Sequence, residues 1–206
     1  MSRRILVWDV PTRVFHWLQV LSFTVAYLTA FSERLRNYHV ALGFILLGLL
    51  VFRLLWGFIG TRYARFGSFL FFPREIAAYL RSLLKGNPTH HLGHNPLGSI
   101  AVCLLLTLGM VVSVTGVLAL QDEASDLVIE MHSYSTDVMI GLILLHIIGV
   151  LVSSFQHREN LVVSMFTGFK TDNAEKGITH AYAWLGLLMV AAVVVFWFVY
   201  VKRPLG

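Results

Sequence analysis

Residues 131–152 read MHSYSTDVMIGLILLHIIGVLV, a run apolar enough to cross a bilayer that still carries His132 at one end and His146 fourteen residues later. At about 1.5 Å of rise per residue, the two rings stand roughly 21 Å apart along a helix axis. Fourteen steps of about 100° stop about 40° short of four turns, so both rings leave the helix on nearly the same side. One helix thus offers a nitrogen ligand near each membrane face, aimed at the same neighbours. A single histidine on an apolar face is more often a hydrogen-bonded core residue. The pair gains meaning only from histidines at matching depths on other helices.

The surrounding chain is built for lipid. Of its 206 residues 57% are hydrophobic and 13% charged, with a mean hydropathy of +0.73. A soluble domain of this size needs a more polar surface, so the composition describes an integral membrane protein. A few helices of bilayer length use up nearly all the residues, which predicts one membrane domain over 1–206. The net charge of +5 sits between apolar runs, where membrane topology and anionic lipid explain it better than a nucleic-acid groove. The one cysteine, Cys103, lies inside an apolar run, which excludes an intrachain disulfide, a thiolate cluster and a CxxCH attachment site for covalent haem. The N-terminal apolar run opens with Phe15–His16–Trp17 and ends without a convincing small-residue cleavage site, so it reads as a retained first span.

Five spans follow in order. A short basic entry precedes the first span, Val14 to Phe31, with Trp8 and Trp17 suited to the interface and Pro11 just ahead of the helix. His16 lies about one turn inside that span, and His39 opens the second, which runs to Ile59 with Arg53 near its far end. Within the long connection 60–97, PREIAAYLRSLLKG predicts a helix from Pro73 to Gly86. Its Ile76, Leu80, Leu83 and Leu84 share one face, and Arg74, Arg81 and Lys85 the other. It is too short to span, so it should lie in the interface. The third span, Leu97 to Leu120, has no histidine but carries Gly109, Ser113 and Gly116 on one stripe. That stripe serves either close helix packing or clearance for a flat cofactor. An acidic connection at 121–130, the 131–154 span, an inner connection from 169 and a fifth apolar run from His180 to Val201 complete the chain.

Lys and Arg set the orientation. With the N-terminus inside, the inner side takes Arg3, Arg4, Arg13 and every cation of the 60–97 and 155–179 connections. The outer side takes only Arg34, Arg36, Lys202 and Arg203. The expected location is the bacterial cytoplasmic (inner) membrane, N-terminus in and C-terminus out. His16 and His146 then share the inner depth, and His39 and His132 the outer. Ionisable residues inside a membrane mark function by default. Two stacked imidazole pairs, without cysteine or clustered carboxylates, suit two b-type haems better than zinc, which needs further ligands at each depth.

The stretches VWDVPTRVFHW, HVALGFILLGLLVFRLLWGFIG, LGHNPLG, LHIIGVLVSSF and HRENLV together resemble the bacterial di-haem cytochrome b561 family, which is similar to the cytochrome b subunit of nickel–iron hydrogenases. The resemblance covers roughly residues 5–168 and implies a four-helix core holding two non-covalent haems b. It also implies electron exchange with the quinone pool. By family pattern the axial ligands are His16 with His146 for the inner haem and His39 with His132 for the outer one. The fifth span (within 169–206) and Ser133, where an acidic residue is expected, depart from compact members.

The expected activity is therefore an electron carrier between quinone and an outer-face partner, a periplasmic c-type cytochrome or a hydrogenase-like protein. The alternatives are superoxide oxidation at the outer haem, and a transport or assembly subunit without cofactor. Arg53 is either an interface anchor or the partner of a haem propionate. Asp137 is either hydrogen-bonded in the bundle interior or passes protons near a quinone. His90, His91 and His94 read as a solvated loop rather than an inner metal site. His157 and His180 read as interfacial, and His180 is the competitor of His16.

The charge bias makes a direct prediction. With Cys103 replaced, a cysteine at Ser125 should react with a membrane-impermeant thiol reagent in whole cells, and one at Asn87 should not. The reverse pattern would invert the topology.

Overall fold

The computed structural model describes residues 3–86, 89–121, 123–172 and 176–202; Asn87, Asp122 and Arg203 of the topology argument lie outside them. In chain order the elements are β1 (Arg3–Leu6), α1 (Val10–Thr29), α2 (Arg36–Ile59), α3 (Pro73–Leu84), α4 (Pro96–Leu118), α5 (Asp126–His157), α6 (Leu161–Thr167), β2 (Phe169–Asp172) and α7 (Ala183–Val201). Single 3-10 turns precede α2 at Glu33–Leu35 and follow it at Phe66–Ser68. The fold is an all-α integral membrane fold with a short interfacial helix and an additional C-terminal span. It carries one small β pair.

Among the described residues four helices are long and apolar enough to cross a membrane: Glu33–Ile59 (α2 with its leading turn), Pro96–Leu118, Asp126–His157 and Ala183–Val201. The first expected span is not among them. Thr12, Arg13, His16, Gln19, Ser22 and Thr24 make α1 more polar than the others, although its 20 residues reach about 30 Å, the thickness of the hydrocarbon. Its neighbours show that it crosses. A Cβ at Gly186, early in α7, would stand 2.5 Å from Val10 and 3.3 Å from Val14 at the start of α1. Near its end, Ala26 offers its carbonyl to His39 at 2.8 Å. The first turns of α2 in turn meet the end of α7, where Tyr38 lies 5.7 Å from Trp197 and Phe44 5.8 Å from Tyr200. α1 therefore runs parallel to α7 from start to finish.

Several boundaries differ from the sequence reading, each for a local reason. α1 begins at Val10 rather than Val14, with Pro11 inside its first turn, where the missing N–H has no partner to lose. α5 begins at Asp126, so half of the acidic connection is helical; a carboxylate in the first turn favours the positive end of a helix. At 32 residues, about 48 Å, α5 exceeds the hydrocarbon thickness. The run Val138–Phe155, which holds no Asp, Glu, Lys or Arg, covers about 27 Å of it. α3 stops at Leu84 and α7 starts at Ala183, three residues after His180.

The chain forms two compact units, and α2, α4 and α5 contribute residues to both. One comprises Met1–Asp9, Leu55–Leu105 and Ile140–Ala181. Here the basic entry is not a loose segment. Arg3–Leu6 pairs antiparallel with Phe169–Asp172, Leu6 opposite Phe169. The Val7 and Trp8 N–H groups donate to the Gly168 carbonyl at 2.9 and 3.1 Å, and the Ile178 N–H to Leu6 at 2.8 Å. Gly168 sits at φ 85, the left-handed cap that ends α6. Ile5, Val7, Trp8, Tyr63 and Leu92 form the core, with Met165 and Ile178 packed on it. Trp8, expected at the interface, is thus 6% exposed. Asp9, fully buried, accepts from Trp56 Nε1 at 3.0 Å and the Thr61 hydroxyl at 2.5 Å. The other unit comprises Val10–Leu54, Leu106–Met139 and Tyr182–Gly206. Its interior combines apolar residues, among them Ala26, Ala41, Leu46, Leu50, Val112 and Met139, with buried polar ones, among them Ser22, Arg53, Ser113 and Thr115.

Removing the Asp9 carboxylate takes an acceptor from two donors, and a buried group that loses a hydrogen bond costs about 1–3 kcal/mol. Asp9→Ala should lower the midpoint of heat-induced aggregation of the purified protein by several degrees. Asp9→Asn, which keeps an acceptor oxygen, should lose less. An unchanged midpoint in Asp9→Ala would show that the carboxylate stabilises nothing.

Candidate haem centre

His39 lies in the first turns of α2, and His132 in the second turn of α5. Their ring centres are 6.2 Å apart and their planes 84° from parallel. The Nδ1 of His39 lies 2.8 Å from the Ala26 carbonyl, and that of His132 lies 2.9 Å from the Val112 carbonyl. A carbonyl only accepts, so each Nδ1 carries the proton and each Nε2 keeps its lone pair for a ligand. A second-shell carbonyl of this kind fixes the tautomer and orientation of a metal-binding imidazole.

The carbonyls are available for local reasons. At the end of α1 the Ala30 N–H bonds to Tyr27 at 3.2 Å, one residue short of the α-helical partner. Ala26 O is thereby one of the orphan carbonyls of a helix end, and it receives the Thr29 hydroxyl at 3.0 Å as well as His39. Val112 O takes the Thr115 hydroxyl at 3.1 Å and His132. The ring of His132 can come this close because residue 116 is glycine: a Cβ there would stand 2.9 Å from His132 Cε1. Gly109 on the same stripe serves packing instead, with Leu50 at 3.3 Å and Met139 at 3.5 Å from its notional Cβ. The stripe thus serves close packing at Gly109 and admits an imidazole ring at Gly116.

This geometry fits a metal held between two imidazoles. A metal–imidazole nitrogen bond is about 2.0–2.1 Å and the nitrogen about 1.1 Å from its ring centre, so two such rings have centres about 6.3 Å apart. Two protein ligands alone do not satisfy most ions, but a porphyrin brings four nitrogens of its own. Among the described residues no group of three His, Cys, Asp or Glu could hold a metal ion.

The other expected residues divide. His16, half-buried on α1, meets the Trp17 ring edge-on at 4.9 Å and belongs to the second unit. His146, half-buried on α5, belongs to the first. Arg53, fourteen residues after His39 on α2, is 3% exposed. Asp137 is exposed rather than interior, and stands about 140° round α5 from His132, at the edge of the Val138–Phe155 run.

The 89–95 histidines are not a uniformly solvated loop. His94 is enclosed by Trp8 at 4.8 Å and Phe69 at 4.7 Å, and His91 by Phe71 at 5.5 Å and Tyr79 at 5.7 Å. Only His90 is exposed, with the His157 ring at 5.4 Å and a Glu159 oxygen at 3.9 Å. Lys170, 5% exposed overall, holds that same Glu159 oxygen at 3.1 Å. His180 is exposed ahead of α7, its Nδ1 2.8 Å from the Thr179 hydroxyl.

A sequence model described as prokaryotic cytochrome b561 matches residues 7–168, most of the chain. The chain belongs to the prokaryotic cytochrome b561 family. As a member it is a membrane protein of the b-type cytochromes. It is similar to proteins named "Probable Ni/Fe-hydrogenase B-type cytochrome subunit". That of Azotobacter vinelandii is 29% identical over 140 residues, covering 54% of this chain and 58% of the relative. That of Rhizobium leguminosarum bv. viciae is 23% identical over 211 residues, covering 80% and 87%. The corresponding hydrogenase 1 subunit of Escherichia coli (strain K12) is 26% identical over 148 residues, covering 58% and 61%. The match to the Azotobacter protein thus spans under two thirds of its length. No solved structure matches this cytochrome b561.

Proposed function

We propose that this cytochrome b561 carries single electrons across the bacterial inner membrane between the quinone pool and a redox partner at the outer face. The bound haems supply one-electron iron chemistry. His39 and His132 hold the outer haem through Nε2, with Ala26 and Val112 keeping both rings in that tautomer. His16 and His146 hold the inner haem. The observation that carries the reading is the His39–His132 pair, 6.2 Å between ring centres with both Nδ1 atoms occupied by carbonyls. The names of the relatives favour a hydrogenase-like partner over a periplasmic c-type cytochrome. The cation bias of the connections supports an inner N-terminus and an outer C-terminus.

Arg53 is assigned to a propionate of the inner haem. It is buried at 3%, unlike a side chain stretched to the interface, and shares a flank of α2 with His39. A buried carboxylate needs a cationic partner, and arginine offers it paired donors. Asp137, exposed and turned away from His132, is assigned to the outer surface, where it can exchange protons with water beside the electron path.

Counting haem per purified chain tests the ligands. His39→Ala and His132→Ala should each lose the same half of the haem b absorbance, and combining them should lose no more. His16→Ala and His146→Ala should each lose the other half. The near-perpendicular rings of His39 and His132 should also give a strongly anisotropic low-spin EPR signal, absent from both of those variants. Full haem retention in any single variant rejects that ligand, and in His16→Ala it would point to His180.

Redox titration tests Arg53. A unit charge about 10 Å from a redox centre, at an effective dielectric of about 20, contributes about 1.7 kcal/mol before a carboxylate offsets part of it. Arg53→Gln should therefore lower the inner midpoint potential by some tens of millivolts and leave the outer one nearly unchanged. Equal potentials in parent and variant would reduce Arg53 to a packing residue.

A further inference from the structure

α3 presents three different sectors. Tyr79, 2% exposed, packs its ring against His91 at 5.7 Å, and Ile76 and Leu83 beside it are half-buried, so this flank rests on the protein. About a quarter turn on, Leu80 and Leu84 are 43% and 88% exposed. About a quarter turn further, Arg74, Arg81 and Lys85 are all exposed and form a row about 16 Å long. The one carboxylate of the helix does not compete with that row. Glu75 accepts from the Phe72 N–H at 2.6 Å, closing the first turn.

An exposed leucine pair would be a liability in water. In this chain the connection bearing it joins two membrane-spanning helices, α2 and α4, so the phase beside it is a bilayer surface. At 12 residues, about 18 Å, α3 cannot enter as a span. It can lie along the surface with its apolar sector down, as amphipathic interfacial helices do. The leucines alone would accept any lipid. The cations along their edge are complementary to anionic headgroups.

We propose that α3 is a binding seat for anionic phospholipid in the leaflet on its own side of the membrane. Leu80 and Leu84 reach among the acyl chains, and Arg74, Arg81 and Lys85 engage the phosphates. The seat lies outside the histidine sites, and its test does not depend on them.

The test uses the full haem-loaded chain, with Cys103→Ser and an environment-sensitive fluorophore on Leu84→Cys, reconstituted into phosphatidylcholine vesicles. Brominated phosphatidylglycerol or brominated phosphatidylcholine is added at equal mole fraction as quencher. Each cation near an anionic surface is worth about 1 kcal/mol, so the phosphatidylglycerol should be enriched at the label up to about fivefold per engaged residue. It should therefore quench more strongly than phosphatidylcholine. In Arg74→Gln/Arg81→Gln/Lys85→Gln the difference should vanish with haem absorbance unchanged. In Arg74→Lys/Arg81→Lys/Lys85→Arg, which keeps the charge, it should persist. Equal quenching by the two lipids in the parent overturns the anionic preference. Quenching by neither shows that something other than lipid covers the leucines and overturns the seat.

Discussion

In hydrocarbon a carbonyl without a donor has no water to fall back on, and the hydrogen-bonding of His39 and His132 follows from that. Near the end of α1 the chain tightens, Ala30 turns to Tyr27, and the Ala26 carbonyl is released. His39, arriving with the next helix, supplies a donor beside the Thr29 hydroxyl. The same bond that satisfies the carbonyl decides which ring nitrogen is left for a ligand. On the other side Val112 does this for His132, and glycine at 116 admits the ring. Helix termination, side-chain tautomer and ligand capacity are therefore one local arrangement.

Asp9 is the corresponding fixed point in the other unit. Directly before α1, it ties that helix's entry to Trp56 in the last turns of α2 and to Thr61 just beyond. The β1–β2 pair then joins the N-terminal segment to the stretch after α6. Residues far apart in sequence meet there through backbone hydrogen bonds and a small aromatic and aliphatic core.

The spans were readable because the length of an apolar run is a property of the bilayer. α1 was the hard case, since its polar residues lower its hydropathy, and its crossing is evident only from α7 alongside. The strands were hidden: RRIL and FKTD are too short to show alternation, and each is recognisable only beside the other. The extension of α5 was hidden because Asp126 and Glu130 look like loop residues until the positive end of a helix accounts for them. Of the His39–His132 pair, the two imidazoles and the glycine stripe nearby could be read. The carbonyls that orient the rings could not: Ala26 is freed by a one-residue choice at a helix end, and Val112, inside α4, is reached only once α5 packs beside it. His91 and His94 misled for a related reason, since Trp8, Phe69, Phe71 and Tyr79 enclose them from distant positions.

The parallel pairing of α1 and α7 has a consequence for biogenesis. α1 leaves the ribosome first among the described helices, and α7 last. During synthesis the more polar α1 must therefore wait in the translocon, or beside α2, without the neighbour that covers Val10 and Val14 in the finished protein. The late arrival of α7 closes this flank of the bundle.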